Sequence, residues 1–148
     1  MSSFTPTQKT LLSDDINIPG IFFQDVEGFL LTDIASYGSK DSWHRICVDA
    51  IRVVDVVDDN GILNEDVKAR DFILKTRPEN QFHVFMINFA LCKFREEYQN
   101  ETEWEECKAT SDEERALGYV MQKELQGGFV YHQSARYNNL DEKYQMDG

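Results

Sequence analysis

Between Glu96 and Glu114, nine of nineteen residues are carboxylic acids and Lys108 is the only base. Nine acids less one lysine give this window a net charge of −8, against −12 for the whole chain. Ionised carboxylates leave water only at high cost unless they find partners. The window EEYQNETEWEECKATSDEE is therefore expected as a solvated face, with the core drawn from the sequence on either side. Such a face repels polyanions and attracts basic surfaces.

The rest of the composition suits one folded domain spanning 1–148, since 41% hydrophobic and 12% aromatic residues supply material for a single core. Cys47, Cys92 and Cys107 are odd in number and form no CxxC pair, which points to free thiols in a reducing compartment. MSSFTPTQKTLLSDD lacks a basic region followed by an apolar run, so no secretory signal is expected. No uncharged apolar stretch approaches the ~20 residues of a membrane helix. A cytoplasmic protein is the expectation. The 15 bases are scattered and net charge is −12, which disfavours direct contact with nucleic acid or anionic membrane.

Residues 1–15 read either as a turn or two of helix, with Thr5, Pro6 and Gln8 in capping positions, or as a loose N-terminal arm. In GIFFQDVEGFLLT, residues 20–32, two apolar runs flank a turn at Asp25–Gly28, the pattern of a hairpin. Trp43, Ile46, Cys47, Ala50, Val53, Val54 and Val57 form the stripe of an amphipathic helix, capped by Asp41 or Ser42 and ended by Asp58-Asp59-Asn60-Gly61. The β-branched run IRVVDVV also permits a strand in the second half. A further helix is expected from Asn64 to the residues before Pro78.

From about 80 to 98, Phe82, Phe85, Met86, Phe89 and Ala90 lie on one helical stripe, and Ile87, Leu91, Phe94 and Tyr98 on a second. A helix apolar on so much of its surface is expected as the buried centre of the fold. Ser111-Asp112-Glu113-Glu114 matches the S-x-x-E capping box of a last helix, with Leu117, Val120, Met121 and Leu125 inward and Gly127 as its stop. Residues 129–133 are expected as a strand added to the hairpin, and 138–148 as a flexible tail. The fold class implied is α+β: a helical core around the 80–98 helix with a small antiparallel sheet from 20–32 and 129–133.

Chemistry is harder to find. Glu97/Glu101 and Glu103/Glu106 have helical spacing suited to a divalent cation, but no Glu-x-x-His pair occurs, and Asp55–Gly61 has EF-hand residue types in the wrong register. No metal site or cofactor is expected. His44, Cys47, Cys92 and Cys107 have zinc-ligand chemistry without paired ligand loops, and Cys47 and Cys92 fall on apolar stripes. Among His44, His83 and His132, only His132 stands in a suggestive setting, FVYHQSARY, near Ser134, Arg136 and Tyr137, a set able to recognise a phosphate or carboxylate. No nucleophile motif or glycine-rich phosphate loop is present.

The expected function is non-catalytic. An acidic face would dock on a basic surface of a protein partner, in the manner of an inhibitor, an immunity protein or a virus- or mobile-element-encoded blocker, with nucleic-acid-binding proteins among the candidates. Glu97, Glu101, Glu103, Glu105 and Glu106 would supply the charge, and Trp104 an aromatic anchor. The alternatives are a small hydrolase-like enzyme using His132 and Arg136 or the clustered glutamates, and a structural subunit of an assembly. The sequence does not specify oligomeric state.

Overall fold

The computed structural model describes residues 28–144. Chain order is β1 (Phe29–Leu30), α1 (Ile34–Tyr37), α2 (Lys40–Asp59), β2 (Ile62–Asn64), β3 (Phe72–Arg77), β4 (Gln81–Met86), β5 (Cys92–Phe94), α3 (Glu101–Ser111), α4 (Glu113–Glu124) and α5 (Ala135–Tyr144), with short 3-10 turns between. The fold is α+β, as its sequence implies.

Helix α2 forms because its apolar positions recur at three and four residues, burying Ile46, Cys47, Ala50 and Val54. It starts at Lys40, without a side-chain cap from Asp41 or Ser42; the Ser42 hydroxyl instead donates to the Ser39 carbonyl at 2.6 Å. It remains helical through IRVVDVV, where burial of one face outweighs the extended preference of branched side chains. Gly61, at φ +78°, turns the chain out of it.

The expected buried helix over 80–98 does not exist. The segment holds β4, an open loop, β5 and a 3-10 turn. The region from Asn64 is likewise not helical but forms β2, a 3-10 turn and β3. Pro78-Glu79-Asn80 closes a hairpin, with Glu79 at φ +64°, and pairs Arg77 with Gln81 and Phe72 with Met86. Phe72 and Leu74 on β3 and the half-buried Phe82, Val84 and Met86 on β4 then alternate into the core. Periodicity cannot separate the two cases in an apolar run this continuous. The aromatic and β-branched content of FILKTR and QFHVFM was the better guide.

Two small antiparallel sheets result, β1-β3-β4 and β2-β5. β1 therefore pairs with β3 rather than with a strand at 129–133. Residues 129–134 form no strand, and Phe129 and Tyr131 drop into the main core beside Leu117 and Met121 of α4 and Leu125 just past its end. Val120, expected inward, is exposed. The expected tail is ordered through residue 144, because α5 seats Tyr137 and Leu140 against Ala109 of α3 in a second, smaller core. The N-terminal arm, the first run of the 20–32 hairpin and residues 145–148 lie outside the described residues.

No loop separates α3 from α4. Asp112 alone, in the left-handed region at φ 40°, makes the corner, and its carboxylate accepts from the Arg115 N–H. Ser111 is the last residue of α3 and not the cap, so the expected Ser111–Glu114 box is replaced by an Asp112 cap.

Candidate functional site

Helix α3 carries most of the acidic window. Asn100 caps it by accepting from the Glu103 N–H at 2.9 Å. Trp104, at 3% exposure, points inward and receives the Tyr98 ring edge-on, 5.1 Å between centroids. Trp104 is thus a core residue and not the exposed anchor its neighbours suggested: on α3 its position falls between the two outward rows of glutamates.

Those glutamates do not share one face. Positions 101 and 105 lie on one side of α3, where Glu101 pairs with Arg95 and Glu105 with Lys143 at 2.8 Å. The lysine and the Tyr144 hydroxyl hold the Glu105 carboxyl below its ordinary range. Glu103 and Glu106 lie on the opposite side, with Glu65 from the loop after β2, around an open cleft of about 520 Å³ that also exposes Cys107, Thr110 and Ser111. Glu97 and Glu103 accept from the Phe94 and Gln99 N–H groups at 2.7 and 2.6 Å, which fixes their positions. Glu65 meets Lys93 at 3.5 Å and the Tyr98 hydroxyl at 3.2 Å. Glu65 is distant in sequence from the window, and no local pattern marks it.

The window's only base does not serve this surface. Lys108 turns inward, 14% exposed, to reach Asp58 Oδ2 at 2.9 Å. Asp58 continues the buried stripe of α2 four residues past Val54, and its side chain is fully enclosed. Arg136 of α5 reaches the same oxygen at 3.2 Å and Asp59 at 2.8 Å. Glu113 and Glu114 are buried too, at 2% and 0%, because they precede Leu117 by four and three residues on the inward face of α4. Glu113 accepts from the Asn64 N–H at 2.9 Å and the Tyr137 hydroxyl at 3.4 Å. Glu114 accepts from Ser134 Oγ at 2.9 Å and the Tyr131 hydroxyl at 3.3 Å, and Asp55 of α2 abuts it.

Four carboxyls, Asp55, Asp58, Glu113 and Glu114, thus share two cations, Lys108 and Arg136. Burial with too few cations favours the protonated form of a carboxyl. Burial, reinforced by Glu114, pushes Asp55 up to about 8, and burial pushes Glu113 up to about 8. Burial also raises Asp58, against the opposing pull of Lys108 and Arg136. This charged junction ties α5 to α2 and α4.

The junction absorbs the residues that the alternative reading, an anion site near His132, would need. Ser134, Arg136 and Tyr137 are committed to Glu114, Asp58 and Glu113, while His132 is exposed on a segment that is not a strand. Cys47 is buried and its thiol is pushed up to about 12 by burial, as suits a core residue. His44 stacks near Phe129, ring centroids 5.7 Å apart. His83 Nδ1 lies 2.6 Å from Arg77 on the exposed face of the hairpin. Among the described residues, no group of three or more His, Cys, Asp or Glu is arranged to hold a metal ion, and no helix is long and apolar enough to cross a membrane. No family model matches the chain, and neither does any curated protein.

Proposed function

We propose that this protein is a non-catalytic, cytoplasmic binding protein that docks its acidic face on a basic surface of a protein partner. The observation that carries this reading is the cleft between Glu65, Glu103 and Glu106, where Lys93 pairs with Glu65 while Lys108 is withdrawn to Asp58. Glu97, pinned beside it, extends the negative field. Glu101 and Glu105, already paired with Arg95 and Lys143, contribute less. A partner whose Lys or Arg residues ordinarily meet phosphate fits such a surface, and encounter would be steered and salt-sensitive.

The test is charge reversal in the cleft. Glu103→Lys with Glu106→Lys should slow association with a partner captured from the native host, most strongly at low ionic strength, at a stability cost of about 0.5–2 kcal/mol, since Glu103 gives up its bond to the Gln99 N–H. An unchanged association rate refutes the proposal.

A further inference from the structure

β4 has one neighbour in its sheet, and the order β1-β3-β4 leaves its far side open. The phase of the ladder fixes which groups face outward there. The Ile87 N–H donates to the Asp71 carbonyl at 2.7 Å, in the same register that sets Phe72 opposite Met86. Antiparallel pairs alternate between bonded and unbonded, so Ile73–Phe85, Lys75–His83 and Arg77–Gln81 are the bonded pairs. The N–H and C=O groups of Phe82, Val84 and Met86 therefore point away from β3. Among the described residues, none of these groups meets a hydrogen-bond partner.

Sheet edges are ordinarily blunted by a lysine, a proline or a bulge. QFHVFM contains no acid, lysine, arginine or proline, and all six residues pair with β3 without an insertion. A groove runs beside this bare edge. A cavity of about 350 Å³ touches Val53, Val56 and Val57 of α2 and Phe82, His83 and Val84 of β4, but no residue of β3. Phe82 and Val84 point to one face of the sheet and His83 to the other. A cavity that meets all three lies along the outer edge of the strand. Val56, 52% exposed, stands in its wall.

These features select an extended chain. An added strand presents donors and acceptors at the two-residue repeat that Phe82, Val84 and Met86 offer, and its alternate side chains enter the groove. The remaining side chains lie on the opposite face, where charge decides. FILKTR and QFHVFM carry no acid. Lys75 stands opposite His83, and the Arg77 guanidinium lies 2.6 Å from His83 Nδ1, drawn across toward the edge strand. Acidic residues match these cations. A second copy of this chain would bring the same acid-free strand and the same cations.

We propose that the free edge of β4 and the groove beside α2 take up an extended segment of a partner protein as an added strand, with aliphatic residues toward α2 alternating with acidic residues toward Lys75 and Arg77. This surface shares no residue with the acidic cleft, and it stands or falls independently of the function proposed there. The probe is a peptide of alternating valine and glutamate, about ten residues long, titrated into the full chain by NMR. In the free protein the Phe82, Val84 and Met86 amides should exchange faster than those of His83 and Phe85, and the peptide should protect them. Val56→Glu should weaken binding at least about tenfold. Lys75→Glu should weaken it and turn the preference toward an alternating valine–lysine peptide. Glu103→Lys with Glu106→Lys should not weaken it, which separates this surface from the acidic cleft.

N-methylation supplies a test on the parent chain, free of any folding defect in a variant. Only alternate residues of an added strand donate to its neighbour, so methylating the valines or methylating the glutamates should abolish binding, but one set only. No binding at about 1 mM peptide overturns the proposal. So does an equal response to the two methylated sets, or equal affinity of the parent for the valine–lysine peptide. Protection of the same three amides that grows with protein concentration alone would assign the edge to a second copy, and overturns it as well.

Discussion

Stability should fall as pH rises from 5.5 to 7.5, the reverse of what a surface dominated by ordinary carboxylates gives. In the unfolded chain Asp and Glu are ionised across about this whole range. In the folded protein Asp55 and Glu113 keep their protons until about pH 8, so the native state binds up to two protons more. Each extra proton gives a slope of about −1.4 kcal/mol per pH unit, and the two together up to about −2.7. Asp58 and Asp112, also raised by burial, act in the same direction. Glu105, lowered by Lys143, acts oppositely: its stabilisation is present above the unfolded value and is lost only as pH falls through the folded one, below this window. Urea unfolding followed by tryptophan fluorescence reads the effect. With an m-value near 2 kcal/mol per M, the midpoint should drop by up to about 1.4 M per pH unit. Asp55→Asn and Glu113→Gln should each remove about half of the slope. A midpoint that is flat or rises over the window would show that the junction holds no such protons.

Trp104→Ala should cost about 3–5 kcal/mol of stability, measured by thermal unfolding, because a 3%-exposed indole leaves a cavity; a change in binding without loss of stability would restore its role as an anchor. Lys108→Met should destabilise by about 3–5 kcal/mol, since it leaves the enclosed Asp58 with Arg136 alone; Lys108→Met with Asp58→Leu should recover most of the loss in denaturant titration. Gly118→Ala should cost about 1–3 kcal/mol, because a Cβ there would stand 2.3 Å from the Tyr131 ring; Tyr131→Leu in the same chain should relieve it.

The α+β class and the helices α2 and α4 were legible because in both segments one face is apolar and the other charged, so that spacing and burial report the same thing. β3 and β4 were not, since their alternation runs inside a stretch where nearly every residue is apolar or aromatic, and a helical stripe can be drawn through it as well. The strand signal lay in residue type and in the turn at Pro78–Asn80. The charged junction was hidden for a different reason. Asp58, Glu113 and Glu114 carry the chemistry of a helix stop and a solvated face, although they extend the apolar stripes of α2 and α4 at helical spacing. Their partners, Lys108, Arg136 and Tyr137, are brought in by tertiary packing that no local pattern encodes. Tyr137 and Leu140 are too sparse among polar neighbours to announce α5. The β4–β5 loop fails in the opposite sense, since its apolar residues read as core and stand in water.

The single-residue corner at Asp112 leaves no slack between the outer acidic helix and the inner one. Any tilt that a bound partner imposes on α3 must pass to the first turn of α4, where Glu113 and Glu114 anchor Asn64, Tyr131 and Ser134. A displacement of α3 would therefore be felt at once by the contacts that seat the segment leading into the C-terminal helix.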